Sequence, residues 1–116
     1  MTDAARAAKW ADLPVEAVLP GITRSVIHGE RQTVVRYCYE PGAVFPMHAH
    51  PEEQITLVLS GRIIFEVEGE SIELGAGGVA VLPANVPHGA RVVGDEPVET
   101  LNALSPRRLQ SPRPAG

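Results

Sequence analysis

The chain of 116 residues contains one cysteine, Cys38, which excludes an internal disulfide and fits a reducing compartment. Cys38 lies in an apolar stretch, where we interpret it as a small core residue. No apolar run approaches the ~20 residues of a spanning helix. Charged residues also interrupt the N-terminus where a signal peptide needs its apolar region. These absences predict a cytoplasmic protein without membrane attachment.

Basic residues are also scarce. Lys and Arg number 10 against 14 Asp and Glu, which gives a net charge of −4, and no basic stripe is present. A nucleic-acid-binding surface is therefore not expected. The length supports one hydrophobic core but not two, so we expect a single domain whose partner is a small molecule.

The central part of the chain leaves almost no room for helices. Short runs rich in Val, Ile and Leu alternate with Gly and Pro, at a spacing typical of an all-β sandwich or barrel. Ile63, Phe65 and Val67 alternate with more polar neighbours, and the segment Glu68–Glu70 predicts the turn of a hairpin. We therefore predict an all-β barrel over residues 21–106.

The two ends of the chain differ from this central part. Residues 1–20 are rich in alanine around Trp10, which predicts a short helical turn, ended by Pro14, in an extension that packs on the barrel. Residues 107–116 are rich in Pro and Arg and too poor in apolar residues for a core strand. We interpret them as a strap or a frayed tail.

One predicted strand is apolar on both faces. Ile55, Leu57 and Leu59 are apolar and lie on the face opposite Gln54, Thr56 and the apolar Val58. Such a pattern indicates a strand that is covered on both sides. A second subunit is the simplest cover, so the sequence predicts a homodimer.

Three histidines and a glutamine form the candidate metal site. His48 and His50 are two residues apart in an apolar stretch, so strand alternation turns both to one face. Gln54 begins the next strand, whereas His88 follows a distant loop and reaches the others only through the fold. Without a ligand, each buried imidazole would cost about 1–3 kcal/mol. We therefore predict a metal bound by His48, His50, Gln54 and His88.

Two further residues, Glu53 and His28, have side chains that can bind a metal. Glu53 is a carboxylate next to Gln54 and is the alternative oxygen ligand, although alternation turns it away from the face that Gln54 uses. His28 is a lone histidine at the end of an apolar run and is interpreted as structural.

The histidines and their glycines resemble the first conserved motif of the cupin superfamily. That motif reads Gly, five residues, His-x-His, three or four residues, Glu, six residues, Gly. All of its spacings are kept here, and only the Glu position departs, being Gln. The matching residues are Gly42, His48, His50, Gln54 and Gly61.

The second cupin motif follows in the expected order. It matches Gly77, Pro83 and His88, with Asn85 in place of a Gly and Val92 in place of the final Asn. Asn85 is a mild change, because Asn tolerates the left-handed conformation. The resemblance covers about residues 35–108. It implies a single-domain double-stranded β-helix, also called a jelly-roll barrel, around one metal ion.

The stretches at residues 41–55 and 83–90 further look like those of the small single-domain cupins of pectin and alginate degradation. These bind a divalent metal through His, His, Gln and His and convert unsaturated monouronates to linear keto forms. Their C-terminal Asp-x-Phe-Ser-Pro-x-Arg implies an acid/base residue, an aromatic wall and a carboxylate-binding arginine. Here Arg108 is the candidate substrate anchor, with a solvated tail charge as its alternative. Asn102 cannot exchange a proton as Asp does, and Leu104 offers no aromatic face.

Gln54 also bears on the type of chemistry. Three imidazoles and an amide leave the +2 charge of the ion uncompensated, which favours Lewis-acid chemistry over redox chemistry. We predict an enzyme that acts on a small, oxygen-rich, sugar-acid-like substrate, with its acid/base residue unidentified. A metal-dependent dioxygenase and a non-catalytic ligand-binding or sensing cupin stay open as alternatives.

The ligand set does not distinguish the divalent transition metals Zn, Fe, Mn, Ni and Cu, because imidazole suits several of them. A single sequence also does not determine which residues of each strand face the pocket. The candidates for lining the pocket are Arg36, Tyr37, Tyr39 and Arg91.

Overall fold

Strands make up nearly all the regular structure of the chain. The computed structural model describes residues 5–108 and 113–114, in which a 3-10 turn, Trp10–Asp12, precedes the first strand. The strands are β1 (Glu16–Leu19), β2 (Ile22–His28), β3 (Thr33–Tyr39), β4 (Val44–Ala49), β5 (Glu53–Ser60), β6 (Ile63–Val67), β7 (Glu70–Leu74), β8 (Val79–Leu82), β9 (His88–Val92), β10 (Val98–Ser105) and β11 (Arg113–Pro114).

The strands form two antiparallel sheets. The six-stranded sheet has the order β1-β2-β3-β10-β5-β8, and the five-stranded sheet has the order β11-β4-β9-β6-β7. Strands that are distant in the chain thus become neighbours, as a jelly roll requires. The predicted all-β jelly-roll domain is confirmed.

The core lies between the two sheets and follows from strand alternation. Every second residue of β3 and β10 is buried. Val35, Val58 and Leu82 of the six-stranded sheet and Ile63 and Phe65 of the other are at most 3% exposed. Each such side chain contributes about 1.5–3 kcal/mol of burial free energy.

The β6–β7 hairpin has the predicted turn. Val67 pairs with Glu70, and the two residues between them, Glu68 and Gly69, have φ values of 50° and 78°. Positive φ at both central residues is the type I′ geometry that matches the twist of a hairpin. The hairpin prediction is confirmed.

The N-terminal extension contributes a strand at the sheet edge. Its segment Glu16–Leu19 pairs with β2, while residues 5–15 are mostly exposed. The helical turn around Trp10 spans three residues. Arg6 Nη2 donates to the carbonyl of His28 at 2.6 Å, which joins the extension to the barrel. Residues 1–4 of the extension lie outside the described residues.

The C-terminal tail also adds a short strand. Arg113 pairs with Ala49, and Pro114 pairs with His48, at the edge of the five-stranded sheet. This part of the tail therefore runs across the barrel as a strap. The other tail residues beyond Arg108 lie outside the described residues. No helix in the described residues has the length and apolar character needed to span a membrane.

The outer face of the six-stranded sheet carries a contiguous apolar surface. Leu57 on β5 is 43% exposed and lies between Val79 on β8 and Leu101 on β10. Contiguous exposed apolar surfaces commonly mark interaction sites. The homodimer stays a prediction that this surface supports. The surface, which we call the outer apolar face, consists of Ile55, Leu57, Leu59, Val79, Val81, Leu101 and Ala103.

We expect Leu57→Lys to weaken the dimer, because it places a charge at the centre of the outer apolar face. Light scattering of the wild type should give the mass of two chains at micromolar concentration, and the variant should shift toward one. Ser71→Lys, on an exposed position of β7, is the matched control and should leave the mass unchanged. A wild-type protein that is monomeric under these conditions would remove the dimer.

Candidate metal centre

Two neighbouring strands of the five-stranded sheet carry the histidines. His48 on β4 pairs directly with His88 on β9, and His50 follows the end of β4. The β4–β9 register shifts between Phe45 and His48, so both of these residues face inward. Such a bulge re-aims the side chains of a strand. His48 and His50 consequently share the interior face that their spacing predicted.

The loop before His88 is tied to the first motif. Asn85 has a φ of 64°, a left-handed conformation that Asn adopts more readily than most residues. Its backbone N–H donates to the carbonyl of His50 at 2.8 Å. This bond fixes the loop that leads to His88 against the segment that carries His50.

The three imidazoles converge inside the barrel. His48, His50 and His88 are 6%, 6% and 2% exposed, and their candidate ligand atoms all lie within 4.8 Å of one another. Nitrogens bound to one ion at about 2.1 Å would be at most about 4.2 Å apart. Small side-chain adjustments would therefore place all three on one metal.

Backbone carbonyls determine which ring nitrogen each histidine presents to the centre. Nδ1 of His48, His50 and His88 lies 2.9, 2.9 and 3.1 Å from the carbonyl oxygens of residues 46, 52 and 86. A carbonyl can only accept, so each Nδ1 carries the hydrogen and donates it. Each Nε2 is left with its lone pair, and the ring is held as in metal-binding histidines.

Gln54, the fourth predicted ligand, lies beside His50. Its Oε1 lies 3.1 Å from His50 Nε2, and its Nε2 is held by Thr56 and Asn102 on the far side. Two lone pairs therefore face each other in a buried site. His88 Nε2 is also buried and has no hydrogen-bond partner within residues 5–108 and 113–114. Buried polar atoms without a partner cost free energy, and a cation bound between these atoms would offset that cost.

Burial lowers the pKa of all three histidines. Loss of solvent is the largest cause in each case, and the positive charge of Arg108 adds to it. For His88 the pKa falls to about 4, with the charge of a protonated His48 as the second cause. The imidazoles are therefore neutral at pH 7, which is the state that binds metal ions.

The structure places Glu53 and His28 away from the histidine cluster. The side chain of Glu53 is exposed, whereas that of Gln54 is buried beside His50. This placement supports Gln54, whose role as a ligand stays a prediction. His28 lies elsewhere and shares a 2.8 Å hydrogen bond with Thr33, in keeping with its structural interpretation.

Arg108 lies inside the protein and not in solvent. It is 5% exposed, and its Nε donates to Glu52 Oε1 at 2.7 Å. Its backbone N–H also donates to Thr33 Oγ1 at 2.9 Å. Nη2 of Arg108 is buried, and none of the residues that the structure describes hydrogen-bonds to it. A buried cation with a free donor beside a metal site can bind an anion.

A small cavity of about 20 Å³ adjoins the histidines. This is roughly the space that one water molecule needs. Among the candidates from sequence, Tyr37 and Tyr39 line it, whereas Arg36 and Arg91 pair with the outward-facing Glu99 and Glu66. Its lining residues are Tyr37, Tyr39, Phe45, His48, Gln54, Phe65, His88, Gly89, Ala90 and Arg108.

Comparison with known proteins decides the family. The family model for the cupin domain matches residues 35–104, which is more than half of the chain. The chain belongs to the cupin family. Cupin motif spacing therefore identified the fold correctly, and the histidine cluster is the expected place for the metal of this cupin. No curated protein sequence matches the chain significantly.

Solved structures agree with this assignment. KdgF from Halomonas sp. is 31% identical, with a TM-score of 0.79 over 85% of this chain and 91% of that chain. An RmlC-like cupin from Shewanella frigidimarina is 24% identical, with a TM-score of 0.83 over 94% and 97% of the two chains. A mutant of oxalate decarboxylase from Bacillus subtilis is 18% identical, with a TM-score of 0.78 over 95% of this chain and 33% of that chain. The last two show the fold alone.

We expect His50→Ala to remove most of the bound metal while the fold is retained. Gln54→Ala should also lose metal, and should lose more than Glu53→Ala, because only Gln54 faces His50. Elemental analysis gives the metal content, and far-UV circular dichroism checks the fold. Full metal occupancy in His50→Ala would disprove the site, and a greater loss in Glu53→Ala would make Glu53 the oxygen ligand.

The metal-free protein should lose stability as the pH falls from about 7 to 4. His88 titrates at about 4 in the folded state but at 6.5 in the unfolded chain, so the unfolded state binds more protons between these values. Denaturant titrations at several pH values measure the free energy of unfolding. His88→Asn should give a shallower pH dependence than the wild type, whereas equal slopes would contradict the assignment to His88.

Proposed function

We propose that this cupin is an enzyme that binds one divalent metal through His48, His50, Gln54 and His88 and acts on a small, carboxylate-bearing, sugar-acid-like substrate. The observation that carries the proposal is the buried Nη2 of Arg108, which lines the same cavity as His48 and His88 and has no hydrogen-bond partner in the described part of the chain. Since a buried guanidinium donor without a partner costs free energy, a substrate carboxylate is a fitting acceptor for it.

The donor set supports Lewis-acid chemistry. When bound, the metal would polarise a carbonyl or hydroxyl oxygen of the substrate. No ligand of the predicted set carries a negative charge, so the charge of the ion is not reduced by the protein. Arg108 adds positive charge to the lining of the cavity, although Glu52 compensates part of it. Both features favour an anionic, oxygen-rich substrate.

The motif resemblance to the small cupins of pectin and alginate degradation supports the substrate class. At positions 102 and 104 this chain has Asn and Leu, where the motif of those cupins has Asp and Phe. Asn102 is an amide and cannot exchange a proton as a carboxylate does, and Leu104 has no aromatic ring to form a wall. Among the cavity lining, the hydroxyl groups of Tyr37 and Tyr39 can transfer a proton. Burial raises the pKa of Tyr39, which keeps its hydroxyl protonated.

The cavity volume favours a second candidate function. A space of about 20 Å³ suits a molecule of the size of water or dioxygen, whereas a sugar acid must displace part of the wall. A metal-dependent dioxygenase therefore remains the alternative. Oxygen uptake in step with turnover would select it, and turnover without oxygen uptake would select the Lewis-acid enzyme.

We expect Arg108→Gln to raise KM for unsaturated uronates, the first substrates to test, by about 10- to 100-fold. This range corresponds to loss of a charge-assisted hydrogen bond of about 1.5–3 kcal/mol. Arg107→Gln makes the same change at the neighbouring exposed position and is the matched control. Steady-state kinetics of both variants, with an oxygen electrode, give the comparison. An equal KM in the wild type and Arg108→Gln would contradict the role of Arg108.

A further inference from the structure

Four polar side chains lie inside the barrel on the six-stranded sheet. Thr56, Thr100 and Asn102 are 0%, 0% and 1% exposed, and Gln54 is 7% exposed. Asn102 on β10 lies between Val35 of β3 and Thr56 of β5. A fully buried amide must have its donors and acceptors satisfied, so the directions of its hydrogen bonds can be assigned.

A backbone carbonyl fixes the orientation of the Asn102 amide. Nδ2 of Asn102 donates to the carbonyl oxygen of Val35 at 3.1 Å and to Thr100 Oγ1 at 2.9 Å. The Thr100 hydroxyl could accept or donate, but the Val35 carbonyl can only accept. A flipped amide would place Oδ1 against that carbonyl. Nδ2 therefore faces β3, and Oδ1 faces β5.

Oδ1 of Asn102 in turn fixes Gln54. It accepts from Thr56 Oγ1 at 2.7 Å and from Gln54 Nε2 at 3.1 Å. Gln54 Nε2 uses its other hydrogen on Thr56 Oγ1 at 2.9 Å. Both amide hydrogens of Gln54 are thus used, and its Oε1 is left 3.1 Å from His50 Nε2.

We propose that Asn102 is a positioning residue that selects glutamine over glutamate at position 54 and aims the Gln54 oxygen at the metal. The inference rests on the metal site of the proposed function. A glutamate at this position would place a second acceptor against Asn102 Oδ1. Asn102 cannot turn to donate, because the Val35 carbonyl holds its Nδ2. The neutral ligand set is therefore imposed by the six-stranded sheet.

The same contacts account for the amide at position 102. An aspartate would still present an acceptor to Gln54, but its second oxygen would face the Val35 carbonyl without a hydrogen between them. Asparagine satisfies both neighbours at once. We expect Asn102→Asp to preserve the orientation of Gln54 while lowering the stability of the fold.

A double-mutant cycle on Zn²⁺ affinity tests the selection. The proteins are wild type, Gln54→Glu, Asn102→Leu and the double variant, and affinity is measured by competition with a chelator at pH 7. Gln54→Glu should leave affinity unchanged or lower in the wild-type background. In the Asn102→Leu background, where the opposing acceptor is gone, it should raise affinity at least tenfold. Equal effects in both backgrounds, within twofold, would overturn the inference.

Single variants separate positioning from a general structural role. Asn102→Leu should weaken Zn²⁺ binding by about 10- to 100-fold, as for other partners of metal ligands. Asn102→Asp keeps the acceptor and should stay within about threefold of the wild type despite a lower melting temperature. Thr100→Val is the buried control and should also keep its Zn²⁺ affinity. Loss of affinity in proportion to melting temperature across all three would overturn the positioning role.

The metal-free proteins distinguish failure of this inference from failure of the proposed function. If the wild type binds no Zn²⁺, the proposed metal site is wrong. The melting temperatures of the four proteins of the cycle then test the role of Asn102 on their own. Gln54→Glu should then lower the melting temperature more in the wild-type background than in Asn102→Leu. Equal shifts would overturn the selection of glutamine by Asn102.

Discussion

Three hydrogen bonds from histidine Nδ1 atoms to backbone carbonyls are the interactions on which the centre of this barrel depends. Without them each imidazole could rotate or exchange its proton between nitrogens. With them, His48, His50 and His88 present three Nε2 lone pairs to one point inside the protein. The carbonyls belong to the same loops and strands as the histidines, so the backbone itself sets the proton positions.

The two sheets contribute different parts of the site. The five-stranded sheet and its loops supply the imidazoles, and the six-stranded sheet supplies Gln54 through Asn102 and Thr56. In both cases a backbone carbonyl decides which atom of the side chain faces the centre. Glu52 compensates part of the charge of Arg108, and Nη2 of Arg108 has no hydrogen-bond partner among the described residues. A divalent ion and an anion could therefore bind in the same interior.

The sequence predicted the features that depend on local spacing. The histidine pair followed from strand alternation, the β6–β7 hairpin from its turn residues, and the place of His88 from the cupin motifs. The bulge between Phe45 and His48 was not predicted, because strict alternation contains no register shift. Glu52 was missed as well, since its partner is 56 positions away and only the fold brings them together. Asn102 was noticed as a lost acid/base group, but its donor role depends on the Val35 carbonyl of another strand.

The most direct test of this account is elemental analysis of protein purified without added metal. The convergence of three neutral imidazoles and the Gln54 oxygen predicts close to one divalent transition metal ion per chain. The same measurement would identify the metal, which the ligand set leaves undecided. Protein that contains no such ion, and takes up none after dialysis against Zn²⁺, Fe²⁺, Mn²⁺, Ni²⁺ or Cu²⁺, would contradict the account.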